Sequence, residues 1–170
     1  MENKKKFPAG GLFLLAVLLG VDQFTKYLAQ TVLSGEGNIV LIDGVFELFY
    51  LRNRGAAFGM FANRQVFFIV VALVMTALAF YVYLRLPDGK HYRPLRFVCL
   101  LIAAGALGNM IDRIIYSYVV DFLYFSLIDF PVFNVADCYV CCGAALTVIL
   151  IFTVYKDDSF EFLYPGKQRR

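Results

Sequence analysis

Residues 66–84 read VFFIVVALVMTALAFYVYL, a run of nineteen residues that contains no charged side chain. A helix needs roughly 20 residues to cross the hydrocarbon core of a bilayer, and about 17 is the lower limit. Three further apolar runs, at 10–33, 96–115 and 138–155, also reach this length, the last two near the lower limit. The sequence therefore predicts four transmembrane helices.

The composition agrees with this prediction. The 170-residue chain is 61% hydrophobic and 17% charged, whereas an ordinary soluble domain is about 25% charged. A soluble domain of this size could not bury four helices that are apolar on every side. Because no second domain, repeat or linker is evident, we predict a single integral-membrane domain over residues 1–170, an all-α bundle.

Lysine and arginine are distributed unevenly around the predicted spans. Eleven flank one side of the membrane and four lie in the connections on the other side. Cytoplasmic flanks collect Lys and Arg, so we predict that both termini are cytoplasmic and that the connections 34–65 and 113–137 face outward. The eleven are Lys4, Lys5, Lys6, Arg85, Lys90, Arg93, Arg96, Lys156, Lys167, Arg169 and Arg170, and the four are Arg52, Arg54, Arg64 and Arg113. We interpret these residues as topology signals and not as a nucleic-acid surface.

The first outward connection has the pattern of a β-hairpin. Residues 38–53 are rich in β-branched and aromatic side chains around Asp43-Gly44, and Asp-Gly between apolar runs is a hairpin signal. We expect a small twisted sheet whose edge can add an extended peptide as a strand. A plain amphipathic hairpin at the interface is the alternative. The small residues of NRGAAFG, at 53–59, suit either a close approach of substrate or a tight turn.

Charged residues within the first span need an explanation, because ionisable groups in a membrane are costly and indicate function by default. Asp22 and Lys26 are four residues apart, so on a helix they share a face and can pair. We interpret them as a structural ion pair that points into the bundle, with a catalytic role as the alternative.

A second polar group ends the third span. Gly105 and Gly108 suit close helix packing, and Asn109 and Asp112, three residues apart, share a helix face. Arg113 can meet an acidic partner or lipid headgroups. An interfacial cap with an ion pair explains this group as well as a functional site does.

Asp121 and Asp137 are the strongest candidates for chemistry. Both are set among apolar residues at the outer ends of the third and fourth spans, and two antiparallel helices could bring them together. Two close carboxylates in a low-dielectric site share a proton. One can then activate water while the other protonates the leaving amine of an amide. The alternatives are that Asp137 is a helix N-cap and Asp121 a loop anion.

The cysteines and the single histidine indicate other chemistry less well. Cys138, Cys141 and Cys142 share one helix face and are interpreted as small packing residues; a thiol–disulfide enzyme is the alternative. Cys99 is expected within the membrane at the opposite side, so the sequence offers no second exposed pair of cysteines that could relay electrons. With only His91 and no H-E-x-x-H, we expect no metal and no cofactor.

Five motifs occur in a fixed order between residues 22 and 137. They are DQFTK at 22–26, NRGAAF at 53–58, GALGNMIDR at 105–113, VVDF at 119–122 and FNVAD at 133–137. Together they resemble the bacterial lipoprotein signal peptidases, also called signal peptidase II. The one departure is Cys138, where many members have serine.

The resemblance implies a fold of four transmembrane helices with a small extracytoplasmic β-cradle and a short interfacial helix. It also implies an aspartic endopeptidase of the bacterial cytoplasmic membrane, with its site on the outer face. The substrate would be a diacylglyceryl-modified prolipoprotein, cleaved before the lipidated Cys. Globomycin-type cyclic peptides would inhibit the enzyme. We expect it to act as a monomer in contact with membrane lipid.

The resemblance further assigns the catalytic pair to Asp121 and Asp137. The residues that it places around this pair are Asn53, Gly55, Asn109, Asp112, Arg113, Asn134 and Ala136. We expect Asn109 and Asn134 to orient the carboxylates or the scissile carbonyl, and Arg113 to steady the substrate or an acidic neighbour.

A proton-coupled small membrane transporter is the alternative of another class. It predicts polar groups at several depths along a path, whereas most ionisable groups here gather near one face. A rhomboid-like serine peptidase is excluded because the lone His91 is expected in the cytoplasmic loop. Presenilin-like and prepilin peptidases carry a G-x-G-D signature, which is missing here.

Overall fold

The computed structural model describes residues 9–55, 64–155 and 159, apart from the side chain of Glu36. The basic residues at 4–6 and all four of those that follow residue 155 lie outside the described residues. The same is true of positions 56–59 in the segment of small residues.

Four long apolar helices dominate the described part of the chain. They are α1 (Ala9–Leu28), α2 (Gln65–Arg85), α3 (Arg93–Tyr116) and α4 (Val135–Thr153). Each is long and apolar enough to cross a membrane, so the prediction of four such helices is confirmed. α1 continues through a π-helical turn, Ala29–Leu33, to a short helical turn at Ser34–Glu36.

Two helix starts differ from the sequence prediction. α3 begins at Arg93, directly after a 3₁₀ turn at Lys90–Tyr92, and is 24 residues long, so it is not near the lower length limit. α4 begins at Val135 rather than at residue 138. The earlier start places Asp137 inside the first turn of α4.

α3 is the central helix of the bundle. Over the most apolar 18 residues of each span, 61% of the residues are buried in α3, against 22% or less in the other three helices. The others pack around it, and α2 and α4 make the most extensive contacts. Gly105 brings α3 close to α4, because a Cβ atom there would collide with the carbonyl of Ala136 and lie 2.6 Å from Cγ2 of Val140. This is the close packing that the glycines predict.

A three-stranded antiparallel sheet covers the end of the bundle where α1 ends and α4 begins. Its strands are β1 (Ile39–Ile42), β2 (Phe46–Asn53) and β3 (Val119–Tyr124), in that order. The β1–β2 connection turns at Asp43-Gly44, where Gly44 has a φ of 66°, so the hairpin prediction is confirmed. The third strand was not predicted, because its first four residues are all buried and show no alternation.

The sheet packs on the extension of α1. Ala29 and Leu33 of the π-helical turn form a small core with Val120 and Phe122 of β3. Beyond β3, Ser126–Ile128 form a single 3₁₀ turn. The short interfacial helix that the resemblance implies stays a prediction. The predicted fold class, a bundle of four apolar helices with a small sheet, is therefore confirmed.

Candidate active site

β3 holds Asp121 at the interface between the sheet and the bundle. Asp121 lies opposite Leu51 of β2, and only 2% of its surface is exposed. The neighbouring Val120 is fixed by its backbone N–H, which donates to Oδ2 of Asp112 on α3 at 3.1 Å. Asp121 is thus a strand residue anchored to α3, not a loop anion.

The first turn of α4 holds Asp137 through a capping box. Asn134 is the N-cap, and its Oδ1 accepts from the Asp137 backbone N–H at 3.0 Å. In return, Oδ2 of Asp137 accepts from the Asn134 backbone N–H at 3.1 Å. Asp137 therefore occupies the third helical position, and the alternative that it is the N-cap is wrong.

Two asparagine side chains connect the two carboxylates. Asn134 donates from Nδ2 to Oδ1 of Asp121 at 2.7 Å, and also to Oδ1 of Asn109 at 3.1 Å. Asn109 donates from Nδ2 to Oδ1 of Asp137 at 2.7 Å. A continuous chain of hydrogen bonds thus runs from one carboxylate to the other, and the structure places both asparagines against the carboxylates they were expected to orient.

Asn53 and Arg113 complete the polar surroundings of Asp121. Asn53 donates from Nδ2 to Oδ2 of Asp121 at 2.7 Å, and its Oδ1 accepts from the Gly55 backbone N–H at 2.9 Å. Arg113 donates to the carbonyl oxygens of Asn109 and Gly55, at 3.2 and 3.3 Å. Its guanidinium lies 4.6 Å from the ring centroid of Phe68, a contact that the sequence did not indicate.

A buried ionic cluster lies behind the asparagines. Lys26 contacts Asp22 at 3.0 Å and Asp112 at 3.1 Å, and it donates to Oδ1 of Asn109 at 2.9 Å. Asp22 also accepts from the backbone N–H of Ala136 at 2.9 Å. The predicted pair is therefore part of a larger group that joins α1 to α3 and to the start of α4.

Gln23 belongs to this cluster although it is not among the site residues predicted from the sequence. Its Nε2 donates to Oδ2 of Asp22 at 3.1 Å and to Oδ1 of Asp112 at 3.0 Å. Its place within the DQFTK motif was the available signal. The Gln23 amide therefore bridges the two acidic side chains. Without it, Lys26 would be the only donor among the described residues that contacts both of them.

Both carboxylates open on one cavity of about 600 Å³, which we call the central cleft. Ligand pockets measure about 300 to 1,000 Å³, so the size suits a peptide segment. The residues that line the cleft are Asn53, Gly55, Asn109, Arg113, Val119, Asp121, Phe130, Pro131, Val132, Phe133, Asp137, Cys138, Cys141 and Cys142. Asp112, Asn134 and Ala136, also expected at the site, lie behind this wall and hold it in place.

The electrostatics of Asp121 fit a shared proton. The pKa of this carboxyl is raised to about 7, first by burial and then by the charge of Asp137, while the hydrogen bonds from Asn53 and Asn134 oppose the rise. A carboxyl with a pKa near neutrality can both accept and donate a proton at physiological pH. The geometry can therefore support general acid–base chemistry on a substrate in the cleft.

Comparisons with known proteins agree with the five motifs. The family model described as Signal peptidase (SPase) II matches residues 14–153. A lipoprotein signal peptidase of Caldanaerobacter subterraneus subsp. tengcongensis is 42% identical over 143 residues, which cover 83% of this chain and 95% of that relative. One from Clostridium tetani is 41% identical over 154 residues, covering 87% and 95%.

Solved structures match the whole architecture. One, described as a bacterial membrane enzyme, superposes with a TM-score of 0.77 at 28% identity and covers 92% of this chain and 98% of its own. A second with the same description gives a TM-score of 0.72 at 28% identity, covering 91% and 100%.

The fold and the site define a multi-pass bacterial membrane protein in which two carboxylates, one on a strand and one on a helix, face a single cleft. The match to the family model extends over most of the chain, and the relatives are covered almost completely. The chain belongs to the signal peptidase II family.

Proposed function

We propose that this protein is an aspartic endopeptidase that removes the signal peptide from diacylglyceryl-modified prolipoproteins, cleaving before the lipidated Cys. The observation that carries the proposal is the hydrogen-bonded chain between Asp121 and Asp137 at the wall of one cleft. Family membership and the names of the relatives support the substrate class. Neither the described part of the fold nor the comparisons favour the transporter alternative.

The two carboxylates share one proton in the working enzyme. The ionised partner accepts a proton from a water molecule, which attacks the scissile carbonyl, and the protonated partner donates to the leaving amine. This pair of proton transfers hydrolyses an amide without a metal ion or a covalent intermediate. The proton belongs to the pair, because the two sites titrate together. Loss of this shared proton as the pH rises should make the activity decline near pH 7.

The surrounding polar groups position the pair and the substrate. Asn53 and Asn134 hold the two oxygens of Asp121, and Asn109 holds one oxygen of Asp137. Arg113 lines the cleft, and its hydrogen bonds go to backbone carbonyls, so it is better placed to steady substrate than an acidic neighbour. A fixed cation at the cleft can stabilise the oxyanion that forms during attack.

The location of the cleft suits a lipid-anchored substrate. The cleft lies at the end of the bundle where α4 begins, so a scissile bond at the lipid–water boundary can reach it. The acyl chains of the substrate start in lipid and can remain there, so they mainly set its location.

We assign this end to the outer face and both termini to the cytoplasm. We also propose that residues 1–170 form one peptidase domain, which acts as a monomer and binds globomycin-type inhibitors in the same cleft.

The test is cleavage of a diacylglyceryl-modified prolipoprotein by purified wild type, Asp121→Asn and Asp137→Asn in detergent. General acid–base groups contribute about 10² to 10⁴ in rate, so each variant should lose at least about a hundredfold in kcat. Asp43→Asn is the matched control, because Asp43 is exposed in the β1–β2 turn. Full activity of either site variant, with the fold retained, would remove that residue from the chemistry.

A further inference from the structure

We propose that Cys138, Cys141 and Cys142 form a covalent modification site in the wall of the central cleft. The ligands that it takes are apolar molecules with a soft carbon electrophile, such as a maleimide. Their spacing in the sequence fits small packing residues on one helix face. The structure instead puts all three against the cleft that holds both carboxylates.

The geometry makes these thiols a group. They stand at positions i, i+3 and i+4 of α4, so they share one helix face, and that face is a wall of the cleft. None is in a disulfide; Cys138 is half-buried, and Cys141 and Cys142 are exposed. Cys138 and Asp137 both line the cleft, so the first thiol opens on the same space as a proposed catalytic carboxylate.

The surroundings select the class of ligand. Apart from the carboxylates and their partners, the wall of the cleft is apolar, with Phe130, Pro131, Val132 and Phe133 contributing to it. A thiolate is a soft nucleophile that adds to the carbon–carbon double bond of a maleimide. One carbon–sulfur bond forms, the π bond is consumed, and the proton lost by the thiol ends on the adjacent carbon. No oxidant, reductant or leaving group is needed.

Modification should close the cleft to substrate. An adduct on Cys138 occupies space next to Asp137, and adducts on Cys141 or Cys142 extend from the same wall about one helical turn further along. Inhibition by such adducts rests on the proposed function, whereas the modification itself does not. Cys99 provides an internal control, because it is buried in the core of the bundle.

Mass spectrometry of intact wild-type protein treated with N-ethylmaleimide in detergent tests the site directly. We expect adducts on the three cysteines of the cleft and none on Cys99 until the protein is unfolded. A variant with Ser at 138, 141 and 142 should gain no adduct in the folded state. A folded wild type that stays unmodified at all three positions, or that reacts first at Cys99, would overturn the proposal.

Activity measurements on the same samples test the consequence. The activity of each treated protein is compared with that of the same protein before treatment. Any loss of activity that the Ser substitutions themselves cause therefore does not affect the comparison. Modified wild type should lose at least about tenfold, because an adduct displaces substrate from its productive position, while the variant with three Ser residues should lose nothing. Full labelling without loss of activity would show that the thiols lie outside the path of substrate. If untreated wild type cleaves no prolipoprotein, the proposed function fails, and the labelling result still decides the modification site.

Discussion

At the residue scale, Asn134 links the parts of the site most directly. It is fully buried, it caps α4, and its amide reaches both Asp121 and Asn109. Its backbone N–H and side-chain oxygen are taken up by Asp137. A buried polar group left without a partner costs about 1 to 3 kcal/mol, so these bonds fix the orientation of the amide. The spacing of the two aspartates is thus set by an uncharged residue.

The raised pKa of Asp121 leads to a prediction about stability. The folded protein raises this pKa from 3.8 to about 7, so it binds the proton more tightly than the unfolded chain does. The stabilisation is complete below 3.8 and is lost as the pH rises through about 7. Asp121→Asn cannot ionise. The difference in Tm, variant minus wild type, should therefore become more positive between about pH 5 and about pH 8.5.

Thermal unfolding in detergent across this pH range measures the effect. Asp43→Asn serves as the control, because the exposed side chain of Asp43 loses little hydration on folding. The variant should also lose one hydrogen bond from Asn53 or Asn134, which lowers its Tm at every pH. For this reason the trend with pH is the informative quantity. A difference that stays constant would mean that Asp121 does not carry a raised pKa.

At the scale of elements, the acidic residues of α1 and α3 anchor the two elements that carry the site. Asp22 accepts from the N–H of Ala136, one residue before Asp137. Asp112 accepts from the N–H of Val120, one residue before Asp121. Lys26 lies between these two acids and offsets part of their charge. The cluster therefore sets the position of β3 relative to α4.

Removing the charge of Lys26 should show whether this residue positions the candidate site in addition to stabilising the fold. Lys26→Met leaves Asp22 and Asp112 without their ion pair, which costs about 3 to 5 kcal/mol for a buried pair. In Lys26→Met with Asp22→Asn, part of that loss should be recovered. Activity of the double variant should remain at least about tenfold below wild type, because Oδ1 of Asn109 has still lost the charged donor Lys26 and keeps only Asn134.

Tm and kcat measured on both variants distinguish the two effects. Thr31→Ala is the control in the extension of α1, since its exposed hydroxyl bonds only to carbonyls of its own helix. Wild-type kcat in the double variant would contradict a positioning role and leave Lys26 as a structural ion-pair partner alone.

The contact between α3 and α4 makes a second prediction at this scale. Gly105→Ala places a Cβ against the carbonyl of Ala136 and the side chain of Val140, so the helices must move apart. Overpacking of this kind costs about 1 to 3 kcal/mol. It should also displace Asp137 and reduce kcat. Gly20→Ala is the matched control, because nothing lies within 4 Å of a Cβ at that helical position. Equal Tm values for the two variants would contradict the close packing.

At the scale of the whole molecule, the sequence predicts the helices better than it predicts the site geometry. Long uncharged runs and the Asp43-Gly44 turn are local signals, so the four helices and the hairpin followed from them. β3 did not follow, since residues 119–122 are buried on both faces and resemble loop or helix residues in an apolar sequence. The pairing of β2 with β3 joins residues about 70 positions apart, as between Leu51 and Asp121. No local pattern specifies such a contact.

The membrane orientation is the last property that the sequence predicts and that an experiment must test. The excess of basic residues predicts that the β1–β2 turn is outside and that the α2–α3 connection is in the cytoplasm. In a variant with Ser at 138, 141 and 142, a membrane-impermeant maleimide applied to spheroplasts should label Asp43→Cys. Lys90→Cys should react only after permeabilisation, although both positions are exposed in the fold. The reverse pattern would place the central cleft on the cytoplasmic face, where a lipid-modified precursor with an exported mature part could not reach it.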